Sequence, residues 1–221
     1  MLLHVNYYAK GSEISLRTSS SILGLMYKKI YSIGIVIVMM ATLVAGCASG
    51  EDDAEPTTLP PKEVAIDGIV TQDEYEGSME LNSRLTLYWR TAGENIVMAL
   101  VGDTDGMVSI GFDPSVGMKD ADMVIAWIED GALSIFDCYG TGASGPHPKD
   151  ADLGGQDDIL EAAGSESGGV TTVEFMRPLA ASDDYDKDIA TDGPTTLIWA
   201  YSGSDSFTAQ HSSRGSATLE I

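Results

Sequence analysis

The feature that most restricts what this chain can become is a series of short runs, rich in β-branched and aromatic residues, interrupted by clusters of Gly, Asp, Ser and Pro. The runs are 85–90, 95–101, 107–112, 123–128, 133–139, 170–176, 196–201 and 216–221. Each has the length of a strand, and several alternate polar with apolar residues, as in Thr172-Val173-Glu174-Phe175. Between them, Asp103-Thr104-Asp105-Gly106 and Glu129-Asp130-Gly131 supply residues that tolerate the positive φ of hairpin turns. Asp157–Ala163 is the best helical candidate, and it is short. Regular strands, frequent turns and no helical crossovers predict an all-β, antiparallel, immunoglobulin-like β-sandwich of about 9–11 strands over residues 64–221.

The residues ahead of that domain read as an address. Residues 1–25 carry no structural pattern, and Met26 is the expected true start. Met26-Tyr27-Lys28-Lys29 is followed by an uncharged stretch, 30–44, and then by Val44-Ala45-Gly46-Cys47. A basic start, a short apolar core and small residues before a cleavage point predict a secretory signal over 26–46. The ending resembles a bacterial-type lipobox, which implies lipidation of Cys47. Residues 47–63, rich in acids and prolines, then form a tether, so the expected location is the outer face of a cell membrane.

The 221 residues carry 12 Lys and Arg against 34 Asp and Glu. Four of the basic residues precede Cys47, whereas every acid but Glu13 follows it, which leaves about −25 on the part beyond Cys47. That charge repels phosphate backbones and excludes nucleic acid as a partner, while it favours a basic protein partner. Two cysteines are too few for a disulfide framework, and Cys138, inside a strand pattern, reads as a small buried apolar residue. Trp89, Trp127 and Trp199 each sit within an apolar run and read as core. With two histidines after Cys47, His147 and His211, and no nucleophile elbow, no catalytic set emerges and the chain is not expected to be an enzyme. Asp150, Asp152, Asp157 and Asp158, in and beside the Gly-rich stretch 142–155, offer hard oxygens that suit calcium, although a solvated loop is the favoured reading.

The order of motifs carries a resemblance. Tyr88-Trp89-Arg90, the strand 106–112, Gly117-Met118-Lys119-Asp120-Ala121-Asp122 and its continuation to Trp127, Phe136-Asp137-Cys138-Tyr139, 173–179, Ile198-Trp199-Ala200-Tyr201 and His211 ahead of Arg214-Gly215-Ser216 succeed one another. Together with Ile66-Asp67-Gly68 and Glu74-Tyr75 they resemble the DOMON family, the β-sandwich of cytochrome modules and of the dopamine β-monooxygenase family. Met107 departs from the Trp often found there. In the cytochrome branch the resemblance implies haem b held by one methionine and one histidine, at the positions of Met118 and His211. It also implies electron transfer with a separate redox protein or membrane cytochrome. His147 reads as an exposed loop residue that could replace His211. Other members of the family bind small ligands without haem, so the alternative is a carbohydrate-binding module using the open end of the sandwich and an exposed aromatic ring.

Overall fold

Ten strands account for nearly all regular structure in the computed structural model, which describes residues 64–208 and 210–221. The predicted signal, Cys47 and the tether lie outside the described residues. In chain order the strands are β1 (Gly77–Asn82), β2 (Leu85–Ala92), β3 (Asn95–Gly102), β4 (Val108–Phe112), β5 (Asp122–Glu129), β6 (Ala132–Tyr139), β7 (Glu161–Ser167), β8 (Val170–Pro178), β9 (Thr195–Tyr201) and β10 (Ser213–Leu219). One sheet has the order β1-β2-β3-β8-β7 and the other β10-β9-β4-β5-β6, with every pairing antiparallel. The fold is a β-sandwich, as the spacing of runs and turns predicts.

Alternation decides which side chains fill the middle. Leu85, Leu87 and Trp89 of β2 meet Ile110 and Phe112 of β4 and Leu197 and Trp199 of β9 in a core shared by both sheets. All three tryptophans are buried, as expected of core residues. Asp130 and Gly131 turn β5 into β6 with φ of 53° and 78°, the left-handed pair that a tight hairpin requires. All eight predicted strands form, the last being displaced to Ser213–Leu219. Two more escaped the pattern, β1 and β7, because both lie at sheet edges and carry small or polar residues with low strand propensity. The helical candidate is also displaced. Residues 161–163 belong to β7, and the single helical turn among the described residues, α1, spans Asp150–Leu153. Glu161–Ser167 pairs along its whole length with β8, and ladder bonds outweigh the local preference of Ala162 and Ala163 for helix.

The sheets are bridged by a buried ion pair. Arg177 of β8 is 2% exposed and places both terminal nitrogens on the carboxylate of Asp122 in β5, at 2.8 and 2.6 Å. Phe112 lies 5.2 Å from the guanidinium, and the Lys187 backbone N–H donates to the same Asp122 carboxylate at 2.9 Å. Neighbouring Asp137 and Asp150 lack such a partner. Burial first, and then the charge of Asp122, push Asp137 up to about 7. Burial and the Asp137 charge push Asp150 up to about 8.

Removing one member of a buried pair strands the other, so Arg177→Ala should cost about 3–5 kcal/mol of unfolding free energy. A denaturant titration showing no shift in midpoint would contradict that linkage between the sheets. The raised carboxyls fix a sign for pH. The native state binds protons that the unfolded chain has released above its ordinary carboxyl range near 4, so stability should fall as pH rises from about 4 to 8 and level beyond. Thermal melts across that window in chelated buffer check it.

Candidate functional site

Connecting chain covers part of the outer face of each sheet, and the two coverings differ. On the first sheet, Glu174 of β8 is wholly buried and accepts the backbone N–H groups of Asp67, Gly68 and Ile69 together with the Tyr75 hydroxyl. That covering is closed and its polar groups are satisfied. On the second sheet, Met123, Ile125 and Trp127 of β5 point away from the shared core and form a second apolar cluster with Met107, Ala121 and Cys138. Loops from three parts of the chain arch over this face and leave a cavity of about 380 Å³.

Ser109, Gly111, Met123, Ile125, Ile198 and Ala200 line the cavity from the sheet. A Cβ on Gly111 would stand 2.7 Å from Met123 Cγ and 2.9 Å from Ile198 Cγ1, so glycine keeps this part of the wall low. Met118, His147 and His211 line it from the loops, with Arg214 adding a cation. The Met118 loop is clasped to the His147 loop, because the Met118 N–H donates to Ala143 O at 3.1 Å and the Asp120 N–H to Gly140 O at 2.7 Å. Gly117, at φ 61°, approaches Ala143 O so closely that its Cβ would lie 2.2 Å away, which admits no other residue.

Met118 and His211 therefore line one cavity. It lies on the outer face of the second sheet, not at an open end of the sandwich. His147 is not an exposed loop residue. It is half-buried, its ring stands edge-on to Phe207 at 5.1 Å between centroids, and its Nδ1 is buried without a hydrogen-bond partner. Sequence reading missed this because Gly145-Pro146-His147-Pro148 has the composition of a turn and no apolar periodicity. Burial lowers the pKa of His211, and the charges of His147 and Arg214 lower it further, so a neutral imidazole with a free lone pair is favoured. Met107, where the resemblance leads one to expect Trp, is 2% exposed and is held by backbone bonds with Ser202 and Ser204.

The donor set suits a soft or borderline metal centre that asks for thioether and imidazole, and the apolar sheet face suits a flat ligand. Among the described residues, none of the cavity serines, Ser109, Ser144 and Ser216, is hydrogen-bonded to His147 or His211. The four acids set aside as a solvated loop divide: Asp152 and Asp157 are exposed, whereas Asp150 and Asp158 are buried. The local sequence hides this, because their burial is created by β6 and by residues 182–186. Cys138 is fully buried, with burial pushing its thiol pKa up.

Comparison with known proteins gives a family. The family model described as the DOMON domain matches residues 81–202. DBH-like monooxygenase protein 1 of Homo sapiens is 34% identical over 147 residues, covering 65% of this chain and 23% of that protein. MOXD1 homolog 1 of Drosophila melanogaster is 28% identical over 155 residues, 64% of this chain and 22% of that protein. The chain thus spans under a quarter of the length of these relatives. Among solved structures, the cytochrome b domain of pyranose dehydrogenase from Coprinopsis cinerea aligns with a TM-score of 0.48 at 12% identity, covering 61% of this chain and 75% of that one.

The electrostatics of the cavity yield a direct expectation. In a proton NMR titration His211 should titrate below the ordinary histidine value near 6.5. A midpoint at or above it would mean that the ring is open to water.

Proposed function

The chain belongs to the DOMON domain family, and we propose that its cavity binds haem b between Met118 and His211 and that it transfers single electrons to or from a separate protein. The observation that carries this reading is the convergence of a thioether and a neutral imidazole, distant in sequence, on one apolar cavity. The bound group would supply one-electron chemistry, and with two protein ligands it would leave no open position for oxygen. The chain's own residues do the rest. Met118 offers a soft donor that favours reduced iron, His211 a nitrogen kept free of protons, and Ile125 and Ile198 an apolar wall that excludes water. Arg214 brings a positive charge to a chain otherwise strongly acidic, and carboxylate groups of a ligand would find it there.

The same proposal includes a chain that acts without catalysis of its own, carried to the cell exterior by residues 26–46 and held there through Cys47. Mass spectrometry of the mature N-terminus, finding a lipid-modified Cys47 or an uncleaved leader, decides that part. The acidic surface would steer a basic partner, at rates that fall with ionic strength. Trp89 and Trp127 are buried away from the cavity, and Trp199, which lines it, is 8% exposed and presents no open ring face for a sugar to stack on.

The test is the visible spectrum of the full-length protein made with haem available, before and after reduction. A sharp low-spin Soret band that shifts with dithionite is expected. His211→Ala should weaken haem binding by at least about a hundredfold, since even groups behind a ligand cost about 10–100-fold. Met118→Ala should keep a pigment with a changed spectrum and a lower potential. A protein that stays colourless on haem titration would end the haem reading and turn attention to small-ligand binding, while loss of binding on His147→Ala alone would move the ligand to that residue.

A further inference from the structure

Around the start of β5 and the end of β6, five carboxylates are buried together with one guanidinium. Asp122, Asp137, Asp150, Asp158 and Asp186 are 0%, 3%, 0%, 8% and 5% exposed. They come from β5, β6, α1 and the segments that precede β7 and β9. Arg177 spends its fork on Asp122 and stands 3.7 Å from Asp186. Ser182 Oγ reaches Asp158 at 3.0 Å and Asp186 at 2.9 Å, and the Asp158 N–H reaches Asp137 at 2.8 Å. The lysines next to the cluster in sequence have their ammonium groups over aromatic rings, Lys149 on Phe136 and Lys187 on Tyr139.

What remains is a set of oxygens closed off from water with no donor. Asp137 Oδ1, Asp158 Oδ2 and Asp186 Oδ1 have no hydrogen-bond partner, and neither does either oxygen of the fully buried Asp150. Buried polar groups are almost always satisfied, and carboxylates are the most costly to leave bare. Oxygens of Asp122, Asp137 and Asp186 lie within 4.8 Å of one another. Oxygens sharing one calcium ion, at about 2.3–2.6 Å each, are up to about 5 Å apart, whereas magnesium at about 2.0–2.1 Å requires a tighter set and keeps its water.

We propose that this cluster is a calcium site, with Asp137 and Asp186 as ligands beside the carboxylate of Asp122, and with the bare oxygens of Asp150 and Asp158 adding to its negative charge. Hard carboxylate oxygens and excess negative charge are the features such an ion selects. Bound there, calcium would fasten β6 to residues 182–186 and to α1. The segment entering α1 is also the one that holds His147 in the cavity. The site is independent of whether the cavity takes haem.

The test uses the full chain, stripped with chelator and returned to calcium-free buffer at neutral pH. Millimolar calcium should raise Tm by about 5 °C and magnesium by clearly less. Calorimetry should count one calcium per chain. Asp137→Asn should abolish the calcium response while leaving the metal-free Tm equal or higher, because a bare buried charge is removed. Asp186→Asn should likewise abolish the calcium response, and it serves if the first variant does not fold. No thermal shift and no heat of binding with calcium would overturn the proposal, as would an equal response to magnesium or a calcium response that survives in the variants.

Discussion

The Arg177–Asp122 pair is the constraint on which the rest of this sandwich leans. Hydrophobic packing between two sheets tolerates sliding, because apolar contacts have little directional preference. A planar guanidinium that must present two nitrogens to two oxygens has one acceptable position, and it fixes β8 of one sheet against β5 of the other. Asp122 directly follows the loop that carries Met118, and its carboxylate also holds the backbone of Lys187. One buried contact thus sets the register of the core, the root of the Met118 loop and the path of the chain into β9.

The sandwich also divides its labour between its outer faces. Glu174 gathers three backbone N–H groups and a phenol, which closes the first face with its donors satisfied. The second face is covered by loops that meet one another through Ala143 and Gly140 and do not fill the space beneath. Gly111 and Ala200 keep the strand surface low there, and the residues facing it from above are the chain's chemically versatile ones, Met118, His147 and His211.

Strand content was legible because Leu85, Leu87 and Trp89 alternate with residues that face outward, and because Asp130-Gly131 permits only a tight turn. Met118 and His211 were legible through motif order alone, since nothing in their local sequence marks a cavity. The placement of His147 and the burial of Asp150 and Asp158 could not be read, because each depends on contacts with chain far away in sequence. The same holds for Arg177 and Asp122: their motifs were visible, but an isolated arginine in a strand reads as solvated until the opposing sheet is in place. Edge strands β1 and β7 were hidden for the opposite reason. Their residues are chosen to be indifferent, and only pairing makes them strands.

That indifference has a consequence of its own. The edge strands β1, β7 and β10 present rows of backbone groups, each a template on which another copy could continue the sheet, whereas the edge of β6 bonds in part to residues 148 and 149. β1 reads Gly-Ser-Met-Glu-Leu-Asn and β7 Glu-Ala-Ala-Gly-Ser-Glu-Ser, without a β-branched residue in either, and β10 opens on Ser-Arg-Gly-Ser. An incoming strand would find few apolar partners along these rows and, on β7, two glutamates that repel a second copy of the same acidic chain. The composition that conceals β1 and β7 from a reader of the sequence also guards against cross-β growth when many copies crowd together.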